Sequence, residues 1–311
     1  MNEPKNSLII GNGFDIDLGL NTRFSDFSKA KDFWPESDGS KLSTYLESKK
    51  SVEKWFNLEG ALREYAMSVV GEFGLGPRKN SEGDAADFAY FEKVRIGLMD
   101  YLTKEEKKDI KSESVAAQVL RGIYNNSLFE HIYTLNYTDL NGIGRKLGIN
   151  NLSKVCYLHG SLSNKDIIIG IDDVKINNDF KNWRKTRSEF YKSHNIFADL
   201  DASKEVVFFG LSFGWIDYKY FYQFFAKMST PTVDPISERN KKCITIFTYD
   251  ESDRRSIFDF LEHMDVDLDY LYSQTQFEII RTKNNQDSKK VEEFLTRLRN
   301  SKPFIPLPKI I

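Results

Sequence analysis

Apolar residues in this chain gather in short unbroken runs, and longer stretches with helical spacing separate them. The runs fall at 7–10, 129–135, 155–158, 166–169, 205–209, 243–249 and 277–280. β-Branched and aromatic residues dominate 205–209 and 243–249. A run without polar alternation is what a strand buried on both faces requires, as in a parallel sheet covered by helices on each side. Strands alternating with helical segments predict an α/β, Rossmann-like fold: a mostly parallel sheet flanked by helices.

One interval is too long for a single βα crossover. Residues 23–128 carry helical patterns at 42–50, 52–70, 85–102 and 114–124, and the stretch 71–83, with four glycines and one proline, reads as a loop. The predicted organisation is therefore a Rossmann core built from 1–22 and 129–300, a large helical insertion at 23–128 that caps the site, and a proline-extended tail at 301–311. A second, polar and aromatic insertion at about 173–202 is expected to be helical, and 288–299 reads as an amphipathic helix.

The first run ends in Gly11-Asn12-Gly13, and a helix-compatible segment follows. This is how a first strand delivers its chain to a phosphate-binding turn: glycines permit close approach, and N–H groups at the helix start face negative charge. The turn departs from G-x-G-x-x-G, because Ile16 stands where the third glycine would be, and no P-loop run is present. A tight βα turn with no ligand is the competing reading. Three further runs end in polar residues: Asn136 to Asp139 after 129–135, His159-Gly160-Ser161 after 155–158, and Ser212 with Asp217 after 205–209. Ligands of parallel sheets bind beyond the carboxyl ends of the strands, so these segments are expected to converge on one crevice.

Each candidate has a plainer alternative. His159 can serve as a general base near neutral pH or as a structural histidine. Asn136 can hold a sugar hydroxyl or a water, or simply make a turn. Asp15 and Asp217 are each either caps or ligand contacts, and Asp139 reads as the N-cap of the next helix.

Composition narrows the function classes. The formal net charge is -2, from 44 Lys and Arg against 46 Asp and Glu, so no global field favours nucleic acid or anionic membrane. No segment has the uninterrupted apolar length of a membrane span, and the start lacks a signal-peptide core, so a cytoplasmic location is expected. The two cysteines, Cys156 and Cys243, lie in apolar runs and are expected to be buried, reduced thiols. No cysteine or histidine spacing suits a metal, so no metal is expected.

The segment from Ile10 to Phe27, I-G-N-G-F-D-I-D-L-G-L-N-T-R-F-S-D-F, resembles the opening of the AbiH family of bacterial abortive-infection proteins. L-N-Y-T-D, Y-L-H-G-S, I-I-I-G and F-F-G-L-S-F-G-W-I-D-Y-K-Y-F follow in that family's order, so the resemblance runs from Leu8 to about Phe221. AbiH proteins are in turn similar to the sirtuin-like NAD-binding fold. That likeness implies that Gly11, Asn12, Gly13, Phe14 and Asp15 lie at the dinucleotide. It further implies that Thr134-Leu135-Asn136 matches a T-x-N motif, that His159-Gly160 matches the H-G motif of the reaction centre, and that Ser212 and Asp217 contact the adenosine half. Two departures count against protein deacylation: where deacylases read T-Q-N-I-D, with the aspartate two after the asparagine, Thr138 stands here and an acid appears only at Asp139, and the chain cannot build a four-cysteine zinc module.

The resemblance implies phage defence by NAD⁺ cleavage to nicotinamide and ADP-ribose, with Asn136 and His159 catalytic and NAD⁺ as substrate. A non-hydrolytic nucleotide sensor is the alternative. The helical insertion or an oligomer interface would provide restraint before infection, and a homo-oligomer or an activating partner protein is the expected partner.

Overall fold

The computed structural model describes residues 5–53, 56–71, 81–124, 129–150, 152, 155–172, 178–231 and 241–300. Six strands, β1 (Lys5–Ile10), β2 (Phe129–Thr134), β3 (Val155–Tyr157), β4 (Ser203–Phe209), β5 (Lys242–Thr248) and β6 (Thr275–Arg281), form one sheet in the order β3-β2-β1-β4-β5-β6. Every neighbouring pair is parallel. The order reverses direction between β1 and β4, as in a doubly wound Rossmann-like sheet.

The α-helices in chain order are α1 (Asn12–Asp17), α2 (Phe24–Phe27), α3 (Lys41–Val52), α4 (Leu58–Gly71), α5 (Ser81–Glu105), α6 (Val115–Tyr124), α7 (Leu140–Lys146), α8 (Ile196–Ala202), α9 (Trp215–Met228), α10 (Glu251–His263), α11 (Leu268–Gln274) and α12 (Ser288–Asn300). Side chains alternate across each strand, and both faces are apolar. Leu8, Ile10, Val207, Phe209, Phe247 and Ile280 pack with α1, α6, α7 and α12 on one face. Ile9, Val206, Phe208, Ile244, Ile246 and Ile279 pack with α8, α9, α10 and α11 on the other. Phe208 lies among the rings of Phe213, Phe221, Phe224 and Phe225, with centroids 5.4–6.3 Å away.

A third apolar cluster lies off the sheet. It joins Phe27, Trp34 and residues of α3, α4 and α5 to Leu162, Ile167, Ile169, Ile171, Phe180 and Trp183. The helical layer between β1 and β2 therefore shares its core with the segment after β3. α6, although it precedes β2, packs on the sheet beside α12.

Several local expectations differ from the structure. The run 166–169 is not a strand. Gly160, at φ +74°, turns the chain after β3, and Ile167, Ile169 and Ile171 then point into the third cluster, so helices rather than sheet neighbours bury the run. The helical pattern at 52–70 breaks between Val52 and Leu58. Within 173–202, residues 178–187 form 3-10 turns, and α-helix begins only at Ile196. Both cysteines lie in strands, but each is half-buried. The expected loop at 71–83 lies largely outside the described residues, although α4 reaches Gly71 and α5 starts at Ser81; the tail at 301–311 lies wholly outside them. No helix among the described residues is long and apolar enough to cross a membrane.

Candidate functional site

A cleft of about 1110 Å³ opens beyond the carboxyl ends of the strands, over the reversal between β1 and β4. Its floor is made by Gly11, Gly13, Asn136, His159, Gly210 and Ser212, and its outer wall by Arg23, Glu59, Arg63 and Leu98 of the helical layer. The crevice at such a reversal is where open α/β sheets bind ligands.

The floor begins with two turns pressed together. The Gly11 N–H donates to the Phe209 carbonyl at 2.9 Å, and the Gly13 N–H donates to the Gly210 carbonyl at 2.8 Å. A Cβ at Gly13 would lie 2.6 Å from the Gly210 Cα, and one at Gly11 would lie 2.7 Å from the Gly210 oxygen. What approaches these glycines closely is therefore the backbone of the β4–α9 turn. The Phe14 N–H is also engaged, by the Gly11 carbonyl at 3.0 Å. These bonds take up donors that the sequence reading assigned to a ligand's negative charge. Asn12 is likewise pinned: its amide donates to the Thr22 carbonyl at 3.3 Å and its oxygen accepts from the Thr22 hydroxyl. Phe14 is fully buried against Phe209 and does not reach the cleft.

The turn after β2 supplies the next wall. The Thr134 hydroxyl accepts the Asn136 N–H at 3.0 Å, and the Asn136 side-chain amide donates to the Gly11 carbonyl at 3.0 Å. Thr134 thus braces the turn from outside the cleft, whereas Asn136 lines it. Asp139 accepts the Asn141 N–H at 3.0 Å and caps α7, as expected from its position.

Asp15 lies inside α1, so it does not cap that helix. It is 1% exposed; Oδ2 accepts the Thr138 hydroxyl at 2.8 Å, and among the described residues Oδ1 has no hydrogen-bond partner. Burial raises its pKa from 3.8 to about 7, against the lowering effect of Thr138, Asn136 and Thr22, and nearby Glu106 raises it further. A carboxyl that titrates near neutrality in a cleft is a mark of a functional site.

His159 reaches the cleft from the turn after β3 and is 6% exposed. Burial, reinforced by the charges of Lys185 and Lys219, holds its pKa well below the usual histidine range, so the ring is neutral at pH 7. Its Nε2 lies 3.4 Å from the Tyr220 hydroxyl, and its carbonyl accepts the Ile168 N–H at 2.7 Å. Behind it, Lys185 and Glu59 form a buried ion pair at 2.8 Å, joining α4 to the segment after β3.

The far end of the cleft is polar. Tyr249, Asp250 and Asp253 follow β5, and Lys283 follows β6. Lys283 pairs with Asp250 at 2.9 Å and lies 5.0 Å from the Tyr249 ring centroid. Ser212 is exposed on the cleft floor, in a turn shaped by left-handed Gly210 and Phe213. The 14-residue α9 starts here, with Gly214 at its N-cap and no capping side chain. Asp217 falls in the first turn of α9, and its side chain is outside the described residues.

The structure thus brings Asn136, His159, Asp15 and Ser212 together and leaves Phe14 and Thr134 behind them. Sequence reading missed Thr138, Glu59 and Arg63 as site residues; Glu59 and Arg63 reach the cleft from a helix with no distinctive pattern. Only the L-N-Y-T-D block, which contains Thr138, carried a usable signal.

No curated protein matches the chain. The family model described as bacteriophage abortive infection AbiH matches residues 8–236, from within β1 to beyond α9. That span includes both pressed turns, Asn136 and His159, and covers most of the chain; the protein belongs to the AbiH family of bacteriophage abortive infection proteins.

Proposed function

We propose that the cleft binds NAD⁺ and that water cleaves its nicotinamide–ribose bond there, giving nicotinamide and ADP-ribose, as the protein's part in phage abortive infection. The observation that carries this reading is the convergence of Asn136 and His159 with the β4–α9 turn in one cleft over the sheet reversal. The cleft crosses both halves of the sheet, which suits a ligand with two nucleoside ends.

Nicotinamide leaves as a neutral group through an oxocarbenium-like state, so the reaction chiefly needs positioning and exclusion of bulk water. Asn136, fixed by the Gly11 carbonyl, suits a neutral contact to the nicotinamide ribose or the attacking water. His159, held neutral by burial, hydrogen-bonds a ribose hydroxyl without introducing charge. The engaged N–H groups of Gly13 and Phe14 leave the phosphates to other donors. Ser212, the start of α9 and the cationic side chains of Arg23 and Arg63 line the same cleft and suit that half.

The test is nicotinamide release from NAD⁺, followed by chromatography, with wild type, His159→Ala and Asn136→Ala. Release by the wild type that the folded variants lose supports the reading. NAD⁺ bound but never cleaved assigns the cleft to a nucleotide sensor, and absence of binding overturns the nucleotide reading altogether.

A further inference from the structure

Burial drives two titratable groups in this cleft in opposite directions, and only one of them is suited to holding a proton. His159 resists protonation because the imidazolium would be desolvated beside Lys185 and Lys219. Asp15 is the opposite case. Thr138 donates to Oδ2, while Oδ1 is buried and makes no direct hydrogen bond among the described residues. A buried acceptor left unsatisfied costs free energy unless something arrives to fill it, and Asp15 is among the residues that border the cleft, where a bound water or ligand hydroxyl would supply the missing donor.

We propose that Asp15 is the catalytic base that accepts the proton of the water attacking the nicotinamide ribose. The assignment rests on the NAD⁺ hydrolysis reading above. In the step, the bond between ribose C1′ and the nicotinamide nitrogen breaks, and its electron pair leaves with neutral nicotinamide. The water oxygen bonds to C1′. Its proton passes to Oδ1 of Asp15 and then to solvent, one proton for each NAD⁺ consumed.

The surroundings of Asp15 fit that cycle. Burial brings its affinity for a proton into the neutral range, at about 7, so it can both take a proton from water and return it. Glu106, just beyond α5, adds to this effect, and the hydroxyls of Thr138 and Thr22 with the Asn136 amide restrain it. Asp17, on the same helix, instead accepts the Ala116 N–H at 2.7 Å. Arg23, Arg63 and Glu59 face the cleft from the outer wall. Among the described residues no cation is paired with Asp15, so nothing locks it as a permanent carboxylate.

Asp15→Asn preserves shape and removes the base. The experiment measures NAD⁺ binding and kcat against pH for the wild type, Asp15→Asn, Thr138→Val, and Asp15→Ala with and without added formate. The wild-type rate should rise with pH to a plateau with an inflection near 7. Asp15→Asn should bind NAD⁺ with little change while kcat falls roughly 10²–10⁴-fold. Thr138→Val, which removes a donor to the carboxylate, should move the inflection to higher pH, and formate should restore part of the rate of Asp15→Ala. A wild type that cleaves NAD⁺ alongside an unimpaired Asp15→Asn overturns this assignment alone. So does a slowed Thr138→Val whose inflection stays in place. A wild type that releases no nicotinamide overturns the hydrolysis reading and this assignment with it.

Discussion

The Thr138 hydroxyl donates to Oδ2 of Asp15 across 2.8 Å, tying the turn after β2 to the first helix through a buried carboxyl. The bond joins residues 123 positions apart, and it holds a carboxyl whose pKa burial raises to about 7.

That carboxyl makes stability depend on pH. Its pKa is about 7 in the folded protein against 3.8 as the reference for the unfolded chain, so the folded state holds the proton more tightly. Its contribution is full below about pH 3.8, declines as pH rises and is gone above about 7. Asp15→Asn has no such proton to lose. Its stability relative to wild type should therefore grow between pH 4 and 7, by up to about 4 kcal/mol at roughly 1.4 kcal/mol per unit. Denaturant titrations of both proteins across that range check this, and a constant difference would contradict it.

The pressed turns make a second prediction. Gly13→Ala puts a methyl group 2.6 Å from the Gly210 Cα, where only backbone can give way. Overpacking against backbone should cost about 1–3 kcal/mol or more and move the denaturation midpoint accordingly. Gly39→Ala meets no atom within 4 Å, but its φ of +77° strains any side chain, so the smaller loss expected there separates strain from clash.

The Glu59–Lys185 pair makes a third. Lys185→Met strands a buried carboxylate and should cost about 3–5 kcal/mol, whereas Glu59→Gln combined with Lys185→Met should recover much of that loss. Because the Lys185 charge also disfavours imidazolium at His159, the double variant should raise the His159 pKa. Thermal melts and histidine NMR titration read the two effects separately, and an unmoved His159 would show that Lys185 is not felt there.

The sheet was legible because its strands are buried on both faces, so each appears as an apolar run whatever its neighbours. The same signal misled at 166–169, where helices bury the isoleucines: an apolar run says that it is covered, not by which layer. Strand order was beyond the sequence, since pairing leaves no period of its own. Asn136 and His159 were legible from their places at strand ends. Gly11 and Gly13 announced a close approach, but the partner is Gly210, almost 200 residues along the chain. Asp15 reads locally as an acid in a first helical turn; its character comes from burial beneath Thr138, Asn136 and Glu106, which meet only in the folded chain.

The most direct measurement is incubation of the wild type with NAD⁺ in heavy-oxygen water, with mass analysis of the products. The account predicts free nicotinamide and ADP-ribose carrying one heavy oxygen, installed at the ribose carbon that held nicotinamide. NAD⁺ recovered intact, or a ribose product without the label, would contradict it.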